Sequence, residues 1–281
     1  PKIAIDLGSK RTRVWVEGFD KIKDELSCLI VREADGKVLA VGNQAVLYEK
    51  RSHQVIWPIK DGFIGDKKQV QALLKILLLD HWQLRLIAQP TVAVSIPASS
   101  DQLQKQTLSE SLFELGAREV ITVSQPLAAM FGAGLVGNDP SGSLNLHLGA
   151  GVVEAALISM GSVVCSKSTN LAGDWLNWQL LAFLKRQFNL IISQQELDRV
   201  FYQLISILPN ENQTMRLVGK STSTGQPTFQ NLSSQQFLPL VKDHVDRYIA
   251  LVKQLLVKVG PELMNDSFQK GLLLTGGLAK L

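Results

Sequence analysis

One short pattern occurs twice in this chain and constrains everything else about it. Ile3–Ala4–Ile5–Asp6–Leu7–Gly8–Ser9 alternates apolar residues, turns at glycine, and resumes its alternation at Thr12, Val14 and Val16. Leu144–Asn145–Leu146–His147–Leu148–Gly149–Ala150–Gly151 does the same and resumes at Val153, Ala155 and Leu157. Asp6 is separated from His147 by the same half-chain offset that separates Gly8 from Gly149. Period-two alternation around glycine reads as strand, tight turn, strand. Its recurrence implies an internally duplicated fold with a cleft between the halves. Glycine turns bring backbone N–H groups close to an anion, so the expected use of the pair is a phosphate clamp. A carboxylate at the turn, Asp6, can hold a metal ion through water. In the second copy the acidic position is His147.

Composition narrows the function classes. A hydrophobic share of 46% against 19% charged residues specifies a packed globular chain, and 281 residues suffice for one large or two medium domains. The net charge of +4 comes without a dense Lys/Arg stripe, which argues against nucleic acid as a partner. Two cysteines, Cys28 and Cys165, make neither a disulfide framework nor a zinc spacing, and His53, His81, His147 and His244 are scattered. No apolar run approaches the roughly 20 residues of a membrane-spanning helix, and no signal peptide is present, so a reduced, cytoplasmic location is expected.

Strands and helices alternate along the chain, which predicts an α/β fold with helix-covered sheets. Segments 26–32 and 37–41 read as a hairpin around Ala34–Asp35–Gly36, and 42–56 as a small peripheral unit. A leucine-rich helix is expected over 67–80, a strand over Thr91–Ile96, and a helix capped by Ser99–Ser100–Asp101 with a stripe of Leu103, Leu108, Leu112 and Leu115. Glu119–Val123 reads as a strand and Pro126 as the start of an alanine-rich helix. Asn138–Asp139–Pro140–Ser141–Gly142 reads as a linker. Beyond it come a strand at 162–167, helices at 173–188 and 194–208, and short strands within 209–235. A long helix is expected over 236–258, with Leu238, Val241, Val245, Ile249, Val252, Leu255 and Leu256 inward. Gly260–Pro261 ends it, and a buried-type strand at Gly271–Leu274 follows. Gly132–Ala133–Gly134–Leu135–Val136–Gly137 matches a dinucleotide fingerprint in letters alone; a helix precedes it, so it reads as a helix C-terminus.

Taken in order, these pieces resemble a known family. They are Ile5–Asp6–Leu7–Gly8–Ser9, Trp57–Pro58–Ile59–Lys60–Asp61–Gly62, Gly116–Ala117–Arg118–Glu119–Val120, and Gln125–Pro126–Leu127–Ala128–Ala129. Then follow the second glycine hairpin, Ala172–Gly173–Asp174 and Leu274–Thr275–Gly276–Gly277. The chain resembles the actin/Hsp70/sugar-kinase superfamily and, within it, the MreB-like bacterial actins. The resemblance implies a duplicated, ribonuclease H-like, two-lobed fold with a nucleotide cleft between the lobes. The first lobe is expected over 1–137, with a small subdomain near 23–56, and the second over 142–281, with one near 178–235. It also implies ATP with Mg2+, the metal held through water by Asp6. Gly8–Ser9–Lys10–Arg11 would form the first phosphate loop and Gly149–Ala150–Gly151–Val152 the second. Asp198 and Phe201 would approach the nucleoside together with Gly276, Gly277 and Leu278. Gln125 would position the attacking water.

Several positions depart from the family pattern. Its first loop commonly reads Asp-Leu-Gly-Thr-Ala-Asn-Thr, whereas Ser9–Lys10–Arg11–Thr12 brings two cations here, for phosphate or for a solvated hairpin tip. His147 replaces a carboxylate, Val152 a threonine, Gln125 a glutamate and Leu278 a glycine, while Phe201 and Gln203 stand for a lysine and a glutamate. Imidazole is a poor ligand for magnesium, and an amide can orient water without taking its proton. By resemblance, Trp82, Leu84, Leu86 and Ile87 lie where the family dips a loop into the bilayer; the same leucines also suit a buried strand entry. Two functional readings follow. One is a cytoskeletal ATP-binding protein, at most a weak ATPase. It would be cytoplasmic and peripheral at the inner membrane, self-assembling into filaments there with the cell-wall elongation machinery and maintaining cell shape. The other is a degenerate actin-fold scaffold with weak or no nucleotide binding. A kinase or chaperone of the superfamily would need domains this length does not hold.

Overall fold

The computed structural model describes residues 2–47, 53–82, 89–135, 139–208 and 212–281. In the first half, β1 (Lys2–Leu7), β2 (Arg11–Val16) and β3 (Lys23–Leu26) are followed by β4 (Leu29–Arg32), β5 (Val38–Val41), α1 (Asn43–Leu47) and β6 (His53–Ile56). Then come β7 (Ile59–Lys60), β8 (Phe63–Ile64), α2 (Lys67–Trp82), β9 (Thr91–Ile96), α3 (Gln102–Glu114), β10 (Glu119–Ser124) and α4 (Gln125–Gly132). The second half holds β11 (Ser143–Leu148), β12 (Val153–Ser159), β13 (Ser162–Thr169), α5 (Gly173–Phe188), β14 (Leu190–Ile191) and α6 (Gln194–Leu204). It continues with β15 (Thr214–Ser221), β16 (Pro227–Ser233), α7 (Ser234–Leu256), α8 (Pro261–Lys270), β17 (Leu272–Thr275) and a short 3-10 turn at Gly277–Lys280.

The duplication expected from the glycine hairpins is present in the strand pairing. The first large sheet runs β10-β9-β1-β2-β3 and the second runs β13-β12-β11-β17. In each, the hairpin's first strand pairs antiparallel with its second and parallel with a strand from much later in that half: β9 for β1, β17 for β11. Alternation decides the faces. Ile3, Ile5 and Leu7 of β1 and Val14 and Val16 of β2 go into a core closed by Val70, Leu73, Leu74 and Leu77 of α2 and by Leu108 and Leu112 of α3. Val153–Ile158 of β12 is buried on both faces, which fits a central strand covered on each side.

Two smaller three-stranded sheets complete the halves, β5-β4-β6 and β14-β15-β16. The first contains the expected hairpin of 26–32 and 37–41, in the trimmed form Leu29–Arg32 against Val38–Val41.

Several expectations need correcting. Leu103 stands 70% exposed because it precedes the turns of α3 that meet the core. The inward stripe of α7 is Phe237, Val241, His244, Tyr248, Leu251 and Leu255, so Ile249 faces out and His244 faces in, hydrogen-bonded to Gln179 at 3.0 Å. Pro261 starts a further helix, α8, instead of only ending the previous one, as its fixed φ and missing N–H suit a first helical position. The strand near Gly271–Leu274 is an edge, with Leu272 and Leu274 half exposed rather than buried. The glycine-rich 132–137 stretch does end a helix: α4 stops at Gly132 and Gly134 takes φ +77°.

Candidate functional site

The two glycine turns are built by one device. Gly8 N–H donates to the Arg11 carbonyl at 3.2 Å, and Gly149 N–H donates to the Val152 carbonyl at 3.0 Å. A Cβ on Gly8 would lie 2.7 Å from the Arg11 oxygen, and one on Gly149 would lie 2.6 Å from that of Val152. Any side chain would force these turns open, so glycine is required in both. The first turn is pinned further by Ser27, whose hydroxyl donates to the Gly8 carbonyl at 2.6 Å and pairs with Thr12 Oγ1 at 2.8 Å. The second is pinned by the start of α5: Gly173 and Asp174 N–H donate to the Gly149 and Ala150 carbonyls at 3.2 and 2.8 Å.

Between the turns lies a cleft of about 530 Å3. Every residue expected from the resemblance to meet phosphate or nucleoside lines it: Asp6, Gly8, Ser9, Lys10 and Arg11 from the first turn, and Gly149, Ala150, Gly151 and Val152 from the second. Asp198 and Phe201 of α6 and Gly276, Gly277 and Leu278 line the far end, and Gln125 at the start of α4 lines the base. Val152 and Leu278 have little surface left in the cleft. Val152 packs within 2.9 Å of where a Gly62 Cβ would stand, and Leu278 joins the core under the second sheet. Leu278 therefore gives most of its surface to that core and only an edge to the cleft. Gln203 is exposed and lies outside the lining.

Sequence reasoning missed several lining residues, among them Arg13, Gly62, Asp174, Asn177, Tyr202 and Lys280. Arg13 had a signal, a cation in strand alternation with Asp6 across a hairpin; Asp174 stood in a quoted motif without a role. Asn177 Oδ1 is buried and has no partner among the described residues, as an acceptor for a ligand donor or water would be. Tyr202 is 83% exposed and meets Phe201 edge-on at 5.8 Å, an aromatic lip at the nucleoside end. Lys10 lies over the Trp57 ring at 4.9 Å.

Electrostatics separate the two walls. Asp6 accepts from the Ser95 hydroxyl at 2.9 Å and from the Arg13 guanidinium at 3.1 Å. Opposite, His147 is partly buried, its Nδ1 hydrogen-bonded to Thr275 Oγ1 at 3.1 Å. Burial holds its pKa below the ordinary value, with Asp6 pulling weakly the other way, so the ring is neutral near pH 7. Asp174 is an exposed residue on the lining, where desolvation raises its pKa against the pull of Lys10. Magnesium is held through one or two free carboxylates plus phosphate oxygens. With Asp6 already paired to a cation and an imidazole, His147, in place of a carboxylate opposite it, this pair of positions does not fit a magnesium site. Among the described residues no cluster of three His, Cys, Asp or Glu side chains could hold a metal ion.

One buried contact ties the two halves together. Glu154 of β12 is fully buried and accepts from the backbone N–H of Ala98 and Ser99 at 3.1 and 3.2 Å and from the Ser99 hydroxyl at 3.2 Å. Desolvation raises its pKa and these donors offset part of that rise. Within the first half the Ser9 hydroxyl accepts from Gly62 N–H at 3.0 Å, and Gly151 of the second half packs against both groups, where a Cβ would clash.

Solved structures share this architecture. MreB5 of Spiroplasma citri bound to AMPPNP superposes with a TM-score of 0.93 at 25% identity, covering 99% of this chain and 85% of that one. Its ADP-bound form gives 0.92 at the same identity and coverage. The MamK double helical filament gives 0.76 at 16% identity, with 99% of this chain and 86% of that chain covered, a likeness of fold alone. Fold and cleft thus define an actin-like protein with a duplicated α/β core. Residues 1–281 match the MreB/Mbl protein family, and the chain belongs to it. It is similar to the cell shape-determining protein Mbl of Bacillus subtilis, 28% identical over 99% of this chain and 85% of that protein. It is also similar to the cell shape-determining protein MreB of Escherichia coli, 29% identical over 99% and 83% respectively. Family membership places the chain among bacterial actin-like cytoskeletal proteins.

The His147 shift has a consequence for stability. A histidine whose folded pKa is depressed contributes stability above its unfolded value of 6.5, lost as pH falls through the folded one. Between about pH 7.5 and about pH 5.5, wild type should lose up to about 1 kcal/mol more stability than His147→Asn, read from urea midpoints at the two pH values. Equal losses would mean that His147 is not held neutral.

Proposed function

We propose that this chain binds ATP in the cleft between its halves and assembles with itself into cell-shape-maintaining filaments on the inner face of the membrane, hydrolysing nucleotide slowly if at all. One observation carries the binding claim: the residues expected around phosphate and nucleoside, drawn from four separated segments, line a single cleft. The AMPPNP- and ADP-bound state of the matching MreB5 structures supports it. Slow hydrolysis follows from Gln125, which is buried at the base of the cleft and can orient a water molecule but cannot accept its proton. Self-assembly is supported by family membership, and the filament form of MamK, at its lower identity, speaks only for the fold.

The lobes are assigned to 1–137 and 142–281, with small subdomains at 23–56 and 178–235. The β5-β4-β6 and β14-β15-β16 sheets fall within those subdomain spans and support the division. Peripheral membrane contact is assigned to the segment after α2, carried by Trp82, Leu84, Leu86 and Ile87. Helix α2 reaches Trp82, and the three apolar residues beyond it lie outside the described residues. Among the described residues no helix is long and apolar enough to cross a membrane. The cytoplasmic location and the cell-wall elongation machinery as partner rest on the family resemblance.

Calorimetric titration with ATP should give saturable heat with one site per chain. No heat or competition up to millimolar nucleotide would remove the binding claim and leave the scaffold reading. For the membrane, wild type should pellet with anionic liposomes and Trp82→Ala should pellet markedly less. Equal pelleting would sink the assignment of that segment.

A further inference from the structure

The floor of the cleft carries a fixed cation where a nucleotide's metal would be needed. Asp6 and Arg13 are directly opposed across the β1–β2 ladder, so their side chains emerge on the same face of the sheet. The guanidinium meets Asp6 Oδ2 at 3.1 Å through one terminal nitrogen and Asp24 Oδ2 at 3.3 Å through Nε. Asp24 also holds Arg11, with Nε donating to Oδ1 at 2.7 Å and the other end of the fork reaching the Asp24 carbonyl at 3.1 Å. Ser95 fixes Asp6 from the next strand at 2.9 Å. The two arginines are therefore joined through the shared Asp24 carboxylate, and Arg13 also through Asp6, which Ser95 anchors. A guanidinium has five N–H donors in a planar fork, and the contacts to the two carboxylates commit two of Arg13's.

The charge balance of the cleft agrees with this. Its lining holds four basic side chains, Lys10, Arg11, Arg13 and Lys280, against three acidic ones, Asp6, Asp174 and Asp198. Of the acids, Asp6 is ion-paired to Arg13. The wall facing Asp6 contributes His147, which is neutral. A divalent ion entering here would find Asp6 and Asp24 already paired to arginines, whereas a polyphosphate would meet the uncommitted donors of Arg11 and Arg13 and the ammonium of Lys10, all from one hairpin.

We propose that nucleoside polyphosphate binds this cleft as the free anion, with the Arg13 guanidinium, held by Asp6 and Asp24, taking the place of the divalent cation. This rests on the nucleotide-binding reading above, and the test separates the two. ATP affinity of the full chain is measured by fluorescence competition in excess EDTA and in excess magnesium. Wild type should bind within about threefold equally in both conditions. Arg13→Leu should bind at least about tenfold more weakly in EDTA, the usual cost of one charge-assisted contact, and recover part of the loss in magnesium because Asp6 is released. Arg13→Lys should keep an intermediate affinity in EDTA. Wild-type binding that needs magnesium by tenfold or more would overturn the inference while leaving nucleotide binding intact. Absence of binding in both conditions would overturn the nucleotide-binding reading itself. The wild-type comparison decides the matter even if a variant fails to fold.

Discussion

Two backbone turns approach their own chain so closely that neither tolerates a side chain, and the rest of the site is arranged around that closeness. Gly8 and Gly149 each donate to the carbonyl three residues on, at 3.2 and 3.0 Å, and each would drive a Cβ into that same oxygen. Both turns line a common space, to which the first adds the cations Lys10 and Arg11 and the second only small residues and Val152. Ser9 accepts the Gly62 N–H beside Gly151, and Glu154 accepts three donors from the Ala98–Ser99 segment. These contacts set how far apart the turns stand. A buried carboxylate with that many charge-assisted bonds is costly to strip of any one of them, so the halves are joined at a defined geometry.

Within that frame the first half carries the chemistry and the second carries the shape. The β1–β2 hairpin supplies Asp6, Lys10, Arg11 and Arg13 to the cleft, while the β11–β12 hairpin supplies His147, small residues and Val152. Such asymmetry between structurally equivalent hairpins means that duplication preserved the backbone more strictly than the side chains. The backbone is fixed by sterics at glycine, which admit no alternative; the polar groups answer only to the ligand. Arg13 on β2 and His147 on β11 both bear on metal binding: the one pairs with Asp6, the other puts imidazole where a carboxylate is usual.

The duplicated hairpins, the strand order they imply and the cleft-lining glycines were legible in the sequence because alternation and turn glycines act locally. Arg13 was not singled out, since its importance comes from the register that opposes it to Asp6, and register is a tertiary fact. His244 looked like one of four scattered histidines; it is buried because the inward face of α7 is set by packing on Gln179 and the second sheet, not by the apolar periodicity of the helix alone. Leu278 stood out in sequence only as a replaced glycine; the 3-10 turn at Gly277–Lys280 puts most of its side chain into the core beside the cleft. Leu272 and Leu274 read as interior and lie on an edge strand, because nothing in a short apolar run says whether a neighbour covers it.

The central claim, that nucleotide sits between the two turns with its base toward α6 and the 277–280 segment, is open to direct labelling. Photo-crosslinking with 8-azido-ATP and peptide mapping should place label on peptides containing Phe201 and Tyr202 or Gly276 to Lys280, and excess ATP should abolish it. Label confined to peptides outside the cleft, or label indifferent to ATP, would contradict the account.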